Sequence, residues 1–476
     1  MSKETAEAAR SSAEVAEGAL GSGGAVLEAG RGGGYAHEAR LLVRLAVPVA
    51  VARVGMLTMG LVDTWMVGKL GAVELASVAL ADACFFTLLV VVVGTVRALD
   101  PLVSQAHGAG NAERCAAAWR GGLRLGFALS IPLTLAVLAI PALLATSLFA
   151  QDARVVESAG RYLGPIALGV LPQIFFAGHA SFVQGLGDTR PPMIATLLAN
   201  LLNVVLDYGL IFGHWGLPAL GVSGAGIAST CSRWFMCLLL WAWILRSERY
   251  APYRVRVAVP ARLLWQALRL GVPIGLAHAA EVGAFSLASI FMGWLSVAAL
   301  AAHQIAIKMA ATTFMLAVAL GIATGIRVGN EIGAGHPWIA RRAAFVAVGL
   351  VLLVMGVCGL GFVRFGGWIV SGFTQDPAVI AIGTSLLGVA AAFQLSDGVQ
   401  AVASGAVRGA GDTLYPLTVQ IVAHWGVAIP LAWVFAFRLG WGPVGVWVAL
   451  ALGLTVAAAL LLWPLRKLDR VEAIAS

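Results

Sequence analysis

The sequence predicts an all-α, polytopic membrane protein with twelve transmembrane helices in two six-helix lobes related by pseudo-twofold symmetry. Three observations carry that expectation. The chain is 60% hydrophobic and 11% charged, against about 25% charged in a typical soluble domain, so a soluble fold would be left with an apolar surface. Runs such as 125–148, 191–212 (interrupted only by the charge of Asp207) and 444–463 reach the roughly 20 residues that cross a bilayer as helix. The chain also repeats itself. Gly108-Ala109-Gly110 returns as Gly333-Ala334-Gly335 at an offset of 225, and Gly187-Asp188-Thr189 as Gly411-Asp412-Thr413 at 224. The first offset also carries Arg44 onto Arg269, Pro48 onto Pro273 and Gly68 onto Gly293; the second carries Pro192 onto Pro416 and Gly221 onto Gly445.

Taken in order, residues 1–40 are expected to be a disordered cytoplasmic tail. Residues 1–34 are rich in Ala, Gly, Ser and Glu, with no apolar run long enough for a signal sequence. Spans at about 41–68, 75–106, 120–144, 158–185, 191–213 and 221–245 make an N-terminal lobe, 41–245. A basic cytoplasmic linker, 246–264, leads to spans at about 265–294, 299–328, 343–371, 379–407, 414–438 and 443–465, the C-terminal lobe, 265–465. Residues 466–476 form a second cytoplasmic tail. Six spans per repeat return the chain to the side it started from, so the symmetry axis runs along the membrane normal.

Orientation follows from the basic residues, which stay in cytoplasmic loops. Of the 31 Lys and Arg, 22 fall on one side: the stretch through Arg44, Arg114/Arg120/Arg124, Arg190, Arg246 to Arg269, Arg327/Arg341/Arg342, Arg408 and Arg466/Lys467/Arg470. The other side holds Lys69, Arg154, Arg161, Arg364 and Arg438. Both termini are therefore expected in the cytoplasm. The net charge of +8 is read as a topology signal; no compact basic domain offers a nucleic-acid surface. Five cysteines, Cys84, Cys115, Cys231, Cys237 and Cys358, have neither disulfide nor metal-ligand spacing and are read as small packing residues.

Ionisable side chains at membrane depth cost at least about 2.5–3.5 kcal/mol near the bilayer centre, so each marks a candidate site. Asp63 lies in the first span and Asp207 in the fifth, four residues after Asn203 and so on the same helical face. Glu281 lies in the seventh span, twelve residues past Arg269 and hence roughly 18 Å deep by helical rise. Asp397 lies inside the tenth. None of the four is duplicated: the repeat places Asp63 on Ala288, Glu281 on Met56, Asp207 on Leu431 and Asp397 on Gln173. The scaffold is copied and the acids are not. Against this stands the structural reading, in which each carboxylate is a hydrogen-bonded packing group. That reading is preferred for Asp82 and Asp100, taken as ion pairs with Arg97, Arg233 or Lys308 or as residues near helix ends, and for Asp188 and Asp412, taken as turn and capping residues.

At these residues the chain resembles the multidrug and toxic compound extrusion (MATE) transporters, in their NorM-like branch. The matching stretches are Met59-Gly60-Leu61-Val62-Asp63-Thr64, Pro273 to Glu281, Ala301-Ala302-His303-Gln304-Ile305-Ala306, Gly325-Ile326-Arg327-Val328-Gly329 and Asp397-Gly398-Val399-Gln400 with Gly405-Ala406-Val407-Arg408-Gly409. The resemblance implies a membrane transporter rather than an enzyme, with no catalytic residues and no cofactor, that expels cationic small molecules in exchange for H+ or Na+. It implies a cation-coupling site at Glu281 and Asp397, and a second at Asp63, Asn203 and Asp207 with a hydroxyl from Ser229. Asp63, Glu281 and Asp397 would also meet the substrate, and any bound Na+ would sit at the coupling residues.

Two schemes fit the same carboxylates. In one, burial disfavours the ionised form, so the acid takes up a proton outside and loses it inside; in the other, the carboxylates and neighbouring oxygens ligate Na+. Aromatic residues Trp65, Phe85, Phe86, Phe175, Phe176 and Phe285 could add cation–π contacts but are read first as lipid-facing or packing groups. His303-Gln304 is open to two readings, substrate contact or polar helix packing. Prolines 48, 132, 165, 172, 273, 416 and 430 are candidate bend points. The expected partners are the bilayer, the coupling ion and cationic solutes, for a monomer in the cell inner membrane. The alternative within the same superfamily is a flippase for lipid-linked saccharides or another amphiphile, which basic cavity residues would favour.

Overall fold

The computed structural model describes residues 34–146 and 152–471, so the tail expected over residues 1–33 lies outside the described residues. Regular structure among the described residues is helical throughout. Eleven helices are long and apolar enough to cross a membrane: Tyr35–Gly68, Ala72–Gly108, Ala112–Leu144, Arg190–Phe212, Val222–Arg246, Ala261–Leu295, Val297–Gly333, Pro337–Ser371, Pro377–Gly409, Leu414–Arg438 and Gly442–Leu465, with mean hydropathies of 1.3 to 2.7. A broken pair, Ala153–Leu168 and Val170–Gly185, completes the twelve as the fourth span. The first helix begins at Tyr35, six residues before the expected start of its span, and the linker holds a short 3-10 turn at Glu248–Tyr253.

Proline accounts for the two most irregular spans. The fourth bends by 45° at Gly169, between Pro165 and Pro172, whose missing N–H groups interrupt the helical ladder on either side of the break. In the eleventh, α-helix gives way to π-helix at Ile421–Ala428 and again at Val434–Arg438, on either side of Pro430. Both irregularities recur below at the candidate sites. Asp412 caps its turn by accepting from the Tyr415 amide at 3.0 Å, and Asp188 accepts from the Tyr250 hydroxyl at 3.0 Å. Asp100 pairs with Arg97 at 3.6 Å. All five cysteines are free.

Side chains such as Leu61, Leu135, Val357, Leu360 and Val363 stand more than 60% exposed, as an apolar outer surface in lipid requires. The lobes meet where the first and second spans cross the seventh and eighth. Here the repeated glycine triplets find their use: a Cβ on Gly108 would strike the Asn330 carbonyl, and one on Gly333 the Gln105 carbonyl. Residues 105 and 330 are themselves 225 apart, so the two contacts are twofold-related and lie where the second and eighth spans cross. Gly94 and Gly275 allow the same intimacy between the second and seventh spans. Only glycine permits backbones this close.

The first span divides its loyalties. Leu42 and Ala46 pack with Ala317, Leu320, Val351 and Met355 of the C-terminal lobe, whereas Met66 and Val67 belong to the N-terminal core. At its N-terminal end Glu38 is fully buried and accepts two hydrogen bonds from Arg327, at 3.0 and 2.9 Å, and one from Arg342 at 3.2 Å. Arg327 also pairs with Glu331. Arg327 is thus a buried structural cation, 4% exposed, and not the loop charge that the orientation count took it for. The repeat-equivalent positions hold Leu263, Leu102, Ala106 and Ala117, so the charged clasp occupies one of two otherwise equivalent lobe contacts.

Removing one member of a buried ion network strands the others and costs about 3–5 kcal/mol, whereas an exposed pair is worth roughly 0–1 kcal/mol. Arg327→Met is therefore expected to lower the thermal unfolding midpoint of the purified protein by several degrees. Arg341→Met, which breaks the half-exposed 3.2 Å pair with Asp469, should barely change it. Equal losses from the two variants would show that the clasp does not hold the lobes.

Candidate functional site

The structure gathers the singled-out residues into two buried clusters, one inside each lobe. In the N-terminal lobe the first, fifth and sixth spans bring together Asp63, Asn203, Asp207 and Ser229, exposed by 7, 0, 0 and 2%. The four-residue spacing of Asn203 and Asp207 does put both on one face, turned toward Asp63. Ser229 Oγ donates to Asp63 Oδ2 at 3.1 Å. The rest of the cluster is short of donors. Asp63 Oδ1, both Asp207 oxygens and both polar atoms of the Asn203 amide are buried without a hydrogen-bond partner. Asp63 and Asp207 interact directly, so two carboxyl groups share one space of low dielectric constant and together attract a positive charge.

In the C-terminal lobe, Glu281 of the seventh span lies near enough to Asp397 of the tenth for its charge to be felt there. Gln420 Nε2 donates to Glu281 Oε2 at 3.4 Å, and His278 Nδ1 lies 4.0 Å from the same oxygen. Gln394, Asp397 and Gln400 follow one another at three-residue steps along the tenth span, and Gln420 with His424 lines the π-helical stretch of the eleventh. Asp397 Oδ1, Gln394 Oε1, Gln400 Oε1 and Gln420 Oε1 are all buried and unpartnered. Unsatisfied acceptors at this density are rare in a folded interior. They form a set of hard oxygen atoms suited to a proton or an alkali cation, not to a soft metal. Among the described residues no group of three or more His, Cys, Asp or Glu could hold a metal ion.

Three of the acids' repeat partners are packing residues: Ala288 is fully buried in the C-terminal core, Leu431 packs against it and Met56 packs against the N-terminal core. His303 resolves to polar helix packing, with Nε2 at 2.9 Å from Ser289 Oγ and Nδ1 accepting from Trp447 Nε1 at 3.1 Å. Trp65 and Phe86 are 61% and 53% exposed, while Phe285 packs edge-on against Phe393 and His424.

One sequence expectation is corrected. Asp82 has no ion pair among the described residues; its Oδ1 accepts from the Tyr162 hydroxyl at 2.9 Å, and its charge is felt by Asp63 and by Arg233. It belongs to the edge of the N-terminal cluster. A partner 80 residues away on a broken helix leaves no local signal. The glutamines were also missed, although amides inside apolar spans are costly enough to have been counted with the acids.

The first, fifth and eighth spans border an open groove of about 430 Å³ lined by Ala50, Val51, Val54, Gly55, Thr58, Leu197, Asn200 and Leu316. It is apolar apart from Thr58 and Asn200. It sits at mid-depth, beside the helices that carry Asp63 and Asp207.

Comparison with known proteins agrees with this architecture. The MatE family profile matches twice, over residues 48–209 and 273–434, two segments set 225 residues apart. The chain is 35% identical over 441 residues to a probable multidrug resistance protein NorM of Bradyrhizobium diazoefficiens, covering 90% of this chain and 93% of that one. It is 34% identical to the multidrug resistance protein PmpM of Pseudomonas aeruginosa, covering 89% and 90%. Among solved structures, the eukaryotic MATE transporter AtDTX14 superposes with a TM-score of 0.82 at 24% identity, covering 92% of this chain and 99% of that one. A MATE protein in the straight conformation gives 0.84 at 21% identity, covering 91% and 97%. With both halves matched and the twelve-helix fold shared, this chain belongs to the MatE family of membrane transporters.

Proposed function

We propose that the protein is a multidrug efflux antiporter of the cell inner membrane, expelling cationic amphiphiles in exchange for H+ or Na+ by alternating access of its two lobes. The observation that carries this reading is the pair of buried acid clusters in which several oxygens lack donors. Each cluster suits a positive charge. Five carboxylates (Asp63, Asp82, Asp207, Glu281 and Asp397) stand against the guanidinium groups of Arg233 and Arg408 nearby, which favours a cationic cargo over the anionic substrates of a flippase. The names of the NorM and PmpM relatives point the same way.

In this reading Asp63, Asn203, Asp207 and Ser229 form one coupling site and Glu281 with Asp397 the other. Asp63, Glu281 and Asp397 also attract the substrate. Antiport then follows from competition, since a cationic compound and a coupling ion cannot both be neutralised by one set of carboxylates. The open groove bordered by the first, fifth and eighth spans lies within the 300–1,000 Å³ usual for small-molecule sites, and its apolar walls suit an amphiphile. In this reading both termini lie in the cytoplasm, the side that the basic residues favour, and the lobe contacts near that side leave the opposite face open.

Purified protein in liposomes loaded with ethidium, given a pH gradient alone or a Na+ gradient alone, is expected to export dye under at least one of the two. Efflux under neither gradient would end the antiporter reading. In the same assay Asp63→Asn, Glu281→Gln and Asp397→Asn should each reduce gradient-driven efflux, by roughly ten-fold or more for the lobe that couples, since losing one charged ligand is worth about 1.4 kcal/mol or more. Wild-type rates in all three would show that the coupling ion binds elsewhere.

A further inference from the structure

The acids of the N-terminal lobe have a cationic neighbour that the exchange scheme leaves unused. Arg233 stands on the sixth span one turn past Ser229, the residue whose hydroxyl reaches Asp63. Its guanidinium carbon lies 4.9 Å from the centroid of the Phe85 ring, and its Nη1 is buried with no hydrogen-bond acceptor. The acids around it are Asp63 on the first span and Asp82 on the second, with the neutral Tyr162 hydroxyl on the fourth and Asp207 of the fifth beyond Asp63. Among the described residues none of these acids comes within the 4 Å of an ion pair. The break in the fourth span makes room for the side chain: a Cβ on Gly169 would sit 3.1 Å from Arg233 Cδ and 3.2 Å from Nη1.

A guanidinium keeps its proton under all ordinary conditions, so this is a permanent charge held beside acids without being locked to any of them. A charge buried for structure alone is normally paired and fully hydrogen-bonded. This one has a ring face beneath it and a free N–H. Asp82, by contrast, is held in place by Tyr162 and offers a fixed second station.

We propose that Arg233 is a tethered counter-cation, a positioning residue for the exchange cycle. It balances Asp63 while no transported cation is bound in the N-terminal lobe, and withdraws toward Asp82 and Tyr162 when one enters. While cargo is held at Glu281 and Asp397, the cation-free N-terminal lobe can then move without carrying bare negative charge through the membrane. The inference rests on the reading that Asp63 and Asp207 bind the driving cation.

The test is ethidium efflux from proteoliposomes, measured as a function of Na+ at fixed pH and of pH at fixed Na+. Arg233→Met removes the competitor, so the driving-cation concentration for half-maximal efflux should fall, by about three- to ten-fold for one nearby charge in a partly wet site, while the maximal rate drops. Arg233→Lys keeps the charge and should recover most of both. Asp82→Asn removes the second station and leaves Arg233 bound to Asp63, so half-saturation should move the other way. In an Asp63→Asn background, Arg233→Met should add no further shift. A merely structural arginine predicts loss of rate without these opposed shifts. The proposal is overturned if monodisperse Arg233→Met protein keeps the wild-type half-saturation, or if Arg233→Met and Asp82→Asn shift it in the same direction. If Arg233→Met does not fold, Arg233→Lys with wild-type half-saturation and Asp82→Asn with a raised one support it, and an unmoved or lowered half-saturation in Asp82→Asn overturns it. Should Asp63→Asn itself leave ion dependence unchanged, the N-terminal coupling site falls and this inference with it; a shift in Asp63→Asn without one in Arg233→Met removes the counter-cation alone.

Discussion

A carboxylate held at bilayer depth has no water to share its charge, and that constraint organises this protein. The acids must be enclosed by helices, which is why Asp63, Asp207 and Asp397 are almost fully buried while leucines and valines face outward. Enclosure normally brings donors, yet here it leaves oxygens unpaired in both lobes. The irregular helices lie at the same places: the break at Gly169 beside Arg233, and the π-helical turn next to Gln420 and His424. Local departures from ideal helix make room for polar side chains that a straight span would exclude.

The duplicated scaffold explains how such sites can differ without separate folds. Gly108 and Gly333 meet each other's neighbouring backbone at the symmetry axis, so both copies must keep the glycine. Nothing imposes the same economy on polar side chains. One lobe contact carries the Glu38–Arg327–Glu331 cluster where its counterpart is apolar, and one lobe pairs two aspartates with an asparagine where the other surrounds its acids with glutamines. The copies agree where their backbones touch at the axis and diverge in their buried polar side chains.

Most of the fold was legible in the sequence because hydropathy and repetition are long-range averages. Twelve spans, two lobes and four unduplicated acids follow from counting residues against the cost of burying them. What stayed hidden depends on single contacts between distant segments. The partnership of Asp82 with Tyr162, the burial of Arg327 under Glu38 and the attachment of Leu42 and Ala46 to the opposite lobe each join residues that no spacing rule connects. The helix start at Tyr35 was missed because the polar residues of its first turns resemble a tail until Glu38 is seen to be buried.

The account turns on the claim that cargo and coupling ion share these carboxylates. Mixing purified wild-type protein with ethidium in weakly buffered medium, with a pH indicator and a Na+ electrode in the cell, counts the ions displaced as the dye binds. At least part of one H+ or Na+ released per dye bound is the predicted result, and saturable dye binding with neither ion released would contradict it.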